Sequence, residues 1–440
     1  MDNLTRLSFD VAVIGAGPAG IAAATVAGES GAATVLLDDN PAIGGQIWRG
    51  DLLAENNKEK TQWVERLKNS SAKLIPGAQV FHLGAETVAA ETDDAVFQIE
   101  YRRLILATGA REFFLPFPGW TLPNVVGAGS LQALIKAGLP VSGKRVVIAG
   151  AGPLLFTVAD FVRARGGIVL GICEQTSWNK LALFAWELSR VPGKIQDALR
   201  LRHGIRGIPL WTDCWPLAAI GGEHVEAVRL SRDGRVCEID CDYLACGFHL
   251  VPNTELAVFM GCQLRGGFVE VDEHQRTTIR NVHCAGEPTG IGGVELALVE
   301  GQVAGYAASG REDAARQLFR QRAAHRRVVK PLRRAFCLRP ELKSMAQPET
   351  FVCRCEDVPL KSLCEHNSWR AAKLQTRCGM GACQGRVCGP AAEFLFGWKM
   401  DSPRPPIFPV RCSSLAAISE DGALVEQKRK PAKPPEAVLF

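Results

Sequence analysis

The 440-residue sequence has no apolar run long enough to cross a membrane. Its longest, Val146–Ala159, is broken by two glycines and a proline, short of the ~18 uninterrupted apolar residues that a span requires. The first residues, MDNLTRLSFDVAVIGAG, lack the charged-then-apolar layout of a secretory signal. No nucleic-acid-binding motif is present. No His/Asp/Ser arrangement for hydrolysis stands out either, and no carboxylate pair sits in a motif context, so no catalytic side chain is assigned. Cysteine, by contrast, is plentiful and odd in number, at 15. Five cysteines fall in two tight motifs late in the chain and ten are scattered. Scattered thiols are reactive strays in an oxidising compartment and harmless in a reducing one, so a cytoplasmic location is expected.

Apolar residues make up 47% and charged residues 22%, ordinary globular composition with material for several cores. At ~150 residues per domain the length suggests about three domains. Glycine, at 44 residues, exceeds the usual ~7% and points to turns that depend on it. The net charge of +5 is uneven. Residues 311–343 carry eleven Lys/Arg against three acids, a balance of +8 that leaves the rest of the chain at −3. A mildly acidic body with one basic segment is not the footprint of a nucleic-acid binder.

Near the start, Asp10-Val-Ala-Val-Ile-Gly15-Ala-Gly17-Pro18-Ala19-Gly20 runs into an Ala-rich segment and then Thr34-Val-Leu-Leu-Asp38. This is strand, glycine turn, helix and a second strand ending in an acid, the pattern of a dinucleotide site. Gly15 makes the tight turn, Gly17 lets backbone approach a pyrophosphate, and Gly20 lets helix pack on strand. The helix start then holds phosphates, and Asp38 is placed for a ribose hydroxyl. A second copy reads Arg145-Val-Val-Ile-Ala-Gly150-Ala-Gly152-Pro-Leu-Leu155, with Glu174 at the ribose position. Leu155 replaces the third glycine and is expected to push helix from strand. Two buried strands end in small-residue turns, Ala107-Thr108-Gly109 and Ala285-Gly286-Glu287, shapes suited to backbone lying against a flat cofactor.

Residues 311–345 have apolar positions near helical spacing, with Pro331 expected to bend or end a helix. A solvated helix covering a domain edge is the plainer expectation. Docking on an acidic partner or on an anionic membrane surface, at its inner face, is the alternative. The sharpest feature follows: Cys353-Arg-Cys355, then Cys378-Gly-Met-Gly-Ala-Cys383-Gln-Gly-Arg-Val-Cys388. Thiols this dense among glycines suit an iron–sulfur cluster, [2Fe–2S], and the C-x-C start speaks against zinc. Spacing alone leaves Cys378/Cys383 and Cys383/Cys388 equivalent, each enclosing four residues.

The order GxGxxG, ATG, second GxG, AGE resembles the two-dinucleotide flavoproteins of the glutathione-reductase type. Ile43-Gly-Gly45-Gln46-Ile47, Ala107-Thr-Gly-Ala-Arg111, Pro116-Phe-Pro-Gly-Trp120, Pro288-Thr-Gly-Ile-Gly-Gly293, Arg404-Pro-Pro-Ile-Phe-Pro409 and the cysteine block narrow the likeness. As a set they resemble the A-type subunits of opine oxidases, hydrogen cyanide synthase and hydroxyproline or proline dehydrogenase complexes, whose last block is similar to bacterioferritin-associated ferredoxin.

The resemblance implies an α/β fold with two Rossmann-like nucleotide-binding domains and a small C-terminal [2Fe–2S] domain. A discontinuous FAD domain (1–119 and 251–310) would enclose the second fold (120–250), followed by a basic helical linker (311–345), the cluster domain (346–400) and a tail (401–440), flexible over Glu426–Phe440. Noncovalent FAD would be held by Gly15, Gly17, Pro18, Ala19, Gly20, Asp38, Gly45, Gln46, Val80, Thr108, Gly109, Gly286 and Glu287. Gly150, Gly152 and Glu174 would leave room for an adenine nucleotide. The family pattern puts the cluster on Cys353, Cys355, Cys383 and Cys388. No C-x-x-C or C-x4-C redox pair is read before residue 353, so dithiol chemistry at the flavin is not expected. The implied role is electron transfer in a heteromeric amino-acid or amine dehydrogenase, beside a D-amino-acid-oxidase-like flavoprotein and a small ferredoxin-like chain. A self-contained NADH-dependent reductase and a redox-inactive assembly or sensor protein are the rival readings.

Overall fold

The computed structural model describes residues 4–49, 58–191, 194–400 and 403–419. Two sheets with parallel centres organise them. In the first, Leu4–Ile14 lies between Thr34–Asp38 and Val96–Leu106, parallel to both, and Lys73–Pro76 continues the Thr34 side. Thr34–Asp38 is buried throughout, as expected of a parallel strand covered on both faces. Antiparallel Thr87–Glu91 pairs the first part of Val96–Leu106, and Val282–Cys284 pairs its last three residues in parallel. Ile14, Leu106 and Cys284 therefore end in register. The chain leaves this sheet after residue 106 and returns at 282, so three turns far apart in sequence open on one edge.

Helices Pro18–Glu29 and Val294–Ala308 cover one face of that sheet. They meet closely because Gly301 faces Ala19, where a Cβ would stand 2.1 Å from the Ala19 carbonyl oxygen. Between residues 106 and 282 lies the second sheet, all parallel, in the order Leu210–Trp211, Ile168–Glu174, Arg145–Gly150, Tyr243–Gly247, Val125–Gly127. Helices Ala128–Lys136 and Pro153–Arg163 cover one face, and an antiparallel sheet of Cys214–Ile220, Ala227–Arg232 and Arg235–Asp240 the other. Leu155 does not open this packing. It is fully buried, and a Cβ on Gly247 would lie 3.3 Å from its Cδ2, so a glycine on the neighbouring strand makes the room. The two chain crossings between the sheets, Ala110–Glu112 and Leu250–Pro252, pair with each other.

The basic segment forms three short helices, Glu312–Gln317, Phe319–Arg326 and Val329–Ala335. Pro331 neither bends nor ends a helix. It occupies the first turn of the last one, where an amide N–H has no intrahelical partner to lose. The cysteine block builds a small core from Val352, Val358, Leu363, Ala372 and Ala391. It docks through the Trp120 Nε1–H, which donates to the Phe351 carbonyl at 2.7 Å, and through an edge contact of Phe394 with Phe113. Residues Glu426–Phe440 lie outside the described residues. Among those described, no helix is long and apolar enough to cross a membrane.

Candidate functional site

The three turns at the carboxyl ends of Leu4–Ile14, Val96–Leu106 and Val282–Cys284 line a cavity of about 390 Å³. Open α/β sheets place ligands at such an edge. Gly15 (φ +102°) turns so tightly that a Cβ would come within 2.3 Å of the Ala107 oxygen. A Cβ on Gly20 would sit 1.7 Å from the Gly15 oxygen, so Gly20 backs the turn and does not line the cavity. Gly17 differs, because its Cβ would meet only the Gly45 Cα at 4.0 Å, leaving that side open. Gly17, Pro18 and Ala19 start a helix with no side-chain cap, so its first N–H groups are free for an anion.

Asp38 lines the cavity but also braces it. One carboxylate oxygen accepts the Ala16 N–H at 2.5 Å, and the other accepts from Asn40 N and Nδ2 at 2.8 and 2.9 Å. Gly45, Gln46 and Val80 continue the wall. At the middle turn, Thr108 Oγ1 donates to the Asn253 carbonyl at 2.6 Å, and Asn253 Nδ2 donates back to the Thr108 carbonyl at 2.8 Å. Gly109 (φ +67°) has nothing within 4 Å of a Cβ. At the third turn, burial raises the Glu287 carboxyl above its ordinary value, opposed by the Ala110 N–H. Gly286 N–H and Thr289 Oγ1–H donate to Glu300 Oε2 at 3.1 and 2.8 Å. Arg326 Nε and Nη2 donate to its Oε1 at 2.9 and 2.7 Å. The basic segment is thus more than a solvated cover, since one of its arginines neutralises a carboxylate whose side chain is 1% exposed.

Some lining residues escape motif reading. Arg111 Nη1 lies 2.7 Å from both Glu255 and Asn253 Oδ1, and its Nε donates to the Arg386 carbonyl at 3.0 Å. Arg386 and Phe408 complete the wall. Arg111 stands in the ATGAR match and Arg386 in the cysteine motif, but only tertiary docking brings them to this cavity.

Gly150, Gly152 and Glu174 lie elsewhere, at the edge of the second sheet. Glu174 is fully buried; it accepts the Gly152 and Thr176 N–H groups at 2.8 Å each, and burial pushes its carboxyl up to about 7. The face of Gly152 has an aromatic neighbour at van der Waals distance. A Cβ there would stand 3.8 Å from the Phe336 ring. Gln175 Nε2 donates to the Cys337 carbonyl at 3.3 Å and Thr176 Oγ1 to that of Ala335 at 3.4 Å, so residues 335–339 cover this turn.

Five thiols gather in the C-terminal block. The sulfurs of Cys353, Cys378 and Cys388 all lie within 4.8 Å of one another, and all three residues are buried. Cys355 and Cys383, nearer the surface, hydrogen-bond to each other. Hydrogen bonds from Cys378 and Cys388, with the Gly379 and Glu356 N–H groups, pull the Cys353 thiol far below its usual range. A Cβ on Gly381 would come within 2.3 Å of the Cys355 Cβ, so glycine is needed for the loops to close. Soft donors with inward N–H groups fit an iron–sulfur cluster. The open faces of Gly17 and Gly109 beside an uncapped helix start fit a dinucleotide. The reading that no C-x4-C pair precedes the block is corrected by Cys241 and Cys246, which have that spacing. Both are buried in the core under the second sheet, where burial raises their thiols, and neither lines the cavity.

The pyridine nucleotide-disulphide oxidoreductase family model matches residues 9–303. The A-type opine oxidase chain of Rhizobium meliloti is 30% identical, over 94% of this chain and 88% of its own. Hydrogen cyanide synthase subunit HcnB of Pseudomonas aeruginosa is 28% identical, over 93% and 98% respectively. The crystal structure of L-proline dehydrogenase from P. horikoshii superposes with a TM-score of 0.65 at 21% identity, over 94% of this chain and 81% of that one.

Proposed function

The chain belongs to the pyridine nucleotide-disulphide oxidoreductase family, alongside the A-type chains of opine oxidases, and on that premise we propose that it is the FAD- and [2Fe–2S]-containing electron-transfer subunit of a heteromeric amine or amino-acid dehydrogenase. The substrate, a secondary amine such as hydroxyproline or an opine, or a D-amino acid, is oxidised to an imine on a partner flavoprotein resembling D-amino-acid oxidase. A small ferredoxin-like subunit is the further partner. Relatives named as subunits of opine oxidase, hydrogen cyanide synthase and sarcosine oxidase support a heteromeric complex.

The observation that carries the reading is a shared wall. Arg386, between Cys383 and Cys388, lines the same cavity as Gly15 and Glu287. Two redox groups so arranged would be neighbours; FAD supplies two-electron exchange and the cluster one-electron transfer. Gly17, Pro18 and Ala19 receive the diphosphate, Asp38 holds the glycine turn and faces the ribose, and Glu287 faces the ribityl chain. Cys353, Cys355, Cys383 and Cys388 are the proposed ligands; Cys378, whose sulfur lies within 4.8 Å of those of Cys353 and Cys388, is the rival for the fourth position. The domain division is likewise proposed at 119/120, 250/251, 310/311, 345/346 and 400/401.

The test is to purify the complex with its co-expressed neighbours and titrate amines anaerobically. Flavin bleaching by an amine only when the partner is present is the expected result. Bleaching by NADH alone would favour the reductase reading, and a flavin that no donor reduces would favour an assembly or sensor role.

A further inference from the structure

Among the described residues of the cysteine block, Arg386 alone lines the flavin cavity. Its guanidinium stacks on Phe408 at 4.1 Å and bonds only uncharged oxygens: those of Cys383 at 3.2 Å, Gln384 at 3.1 Å and Ile407 at 2.7 Å. Its Nε is buried and has no hydrogen-bond partner. The neighbouring Arg111 takes the nearby carboxylate, Glu255, at 2.7 Å. Arg386 is half-buried and shares Glu255 with Arg111, so its charge is incompletely neutralised, and the buried, unmet Nε–H adds to the cost. Placed on the wall of a cavity shaped for a dinucleotide, it calls for an anionic ligand group. The loop that carries it is also unusual, since Gln384 (φ +50°) and Gly385 (φ +83°) take left-handed conformations in succession. A non-glycine residue is held there only when its surroundings impose it. The two cysteines flanking the loop are candidates to impose it.

We infer that Arg386 binds the phosphate portion of the dinucleotide, so that flavin retention depends on the Cys383–Cys388 loop being held by its metal cluster. This rests on the proposed FAD and cluster reading. Loss of the cluster frees the loop, withdraws the guanidinium and loosens the flavin, although no thiol touches the cavity. The coupling is reciprocal, so bound FAD protects the cluster loop in turn.

The experiment measures FAD affinity of the full chain by flavin fluorescence, before and after removal of iron with a chelator. Arg386→Gln is expected to weaken FAD binding about 10- to 100-fold, the range for a charge-assisted hydrogen bond, with the cluster's paramagnetic resonance signal intact. Arg386→Lys, which keeps the charge, should lose less than Arg386→Gln. Iron removal should weaken FAD binding in the wild type by a similar factor and add less than about twofold in Arg386→Gln. Wild-type affinity in Arg386→Gln overturns the inference. So does an equal effect of iron removal on both proteins, and so does Arg386→Lys binding no better than Arg386→Gln. A wild type that takes up no FAD at all fails differently, because it removes the FAD reading itself.

Discussion

The chain carries the same fingerprint twice, and the two copies have met different ends. In the first, the face of Gly17 opens on a cavity of about 390 Å³. In the second, the face of the corresponding Gly152 is met by the Phe336 ring, and the turn after Glu174 is bonded to residues 335–339. Packing behind the turns is inverted as well. The first fold needs no side chain at Gly20, whereas the second fills the matching position with Leu155 and moves the missing side chain to Gly247. A glycine fingerprint therefore states how backbone turns, and says nothing of what lies in front of the turn.

The sharpest way to break this comparison is to exchange the packing rule. Gly20→Ala places a methyl 1.7 Å from the Gly15 oxygen, a rigid backbone atom. The turn must shift, at about 3 kcal/mol or more, and flavin per chain should fall close to zero. Leu155→Ala should cost ~2–5 kcal/mol in urea unfolding by leaving a cavity, while flavin per chain stays near the wild-type value. A Gly20→Ala protein with full flavin, or a Leu155→Ala protein without it, would end the distinction between a working turn and a structural one.

The acid of the second fold offers a pH test. Glu174 has its folded-state carboxyl raised to about 7 from an ordinary 4.5 because burial penalises its charge. The folded state thus binds the proton more tightly than the unfolded state. Its stabilisation is complete below pH 4.5 and is lost as pH rises through about 7. The span corresponds to roughly 3 kcal/mol. Urea midpoints between pH 5 and 8 should decline in the wild type, and the decline should be shallower in Glu174→Gln. Identical slopes in the two proteins would remove Glu174 from the account.

How much of this was legible follows the same division. Gly15, Gly17 and Gly20 were readable because each glycine answers a local demand of turn or close approach. The strand ends at Leu106 and Cys284 were readable because a buried apolar run that stops at Ala107-Thr108-Gly109 or Ala285-Gly286-Glu287 can only end in a turn. Asn253, Arg386 and Phe408 were not, because they reach the cavity from segments 145 or more residues beyond the middle turn. Arg386 and Phe408 stand in quoted motifs, but nothing local shows that those motifs reach this cavity. The basic segment misled for the same reason. Its charge density reads as solvent exposure, yet Arg326 leaves solvent in part to meet Glu300, whose burial no helical periodicity reveals.

That ion pair gives a test of how the linker holds the first fold. Arg326→Ala leaves the Glu300 carboxylate buried and unpaired, behind the Gly286–Glu287 turn. Breaking a fully buried pair costs ~3–5 kcal/mol, but Arg326 is more than a third exposed, so about 2 kcal/mol is expected. The companion readout is flavin release, which should quicken because the third turn loses its brace. If stability falls without faster release, Glu300 supports the helix Val294–Ala308 and not the turn.

The smallest expected effect lies where the second fold is covered. In a nucleotide fold the second glycine matters because phosphate oxygens come against its bare Cα, and here the Phe336 ring lies beside that face, 3.8 Å from where a Cβ would stand. Excess NADH added anaerobically should therefore leave the flavin oxidised over seconds. Phe336→Ala clears the ring but not the backbone of residues 335–339, which still accepts hydrogen bonds from Gln175 and Thr176. Titration calorimetry with NADH should then show a gain of about tenfold in affinity, near 1.4 kcal/mol, without rapid bleaching. The ring obstructs the phosphate face, while the bonded turn beyond Glu174 still covers the ribose side. Bleaching of the wild-type flavin within milliseconds to seconds would reverse the comparison, because a covered second fold could not admit the nucleotide that reduced it.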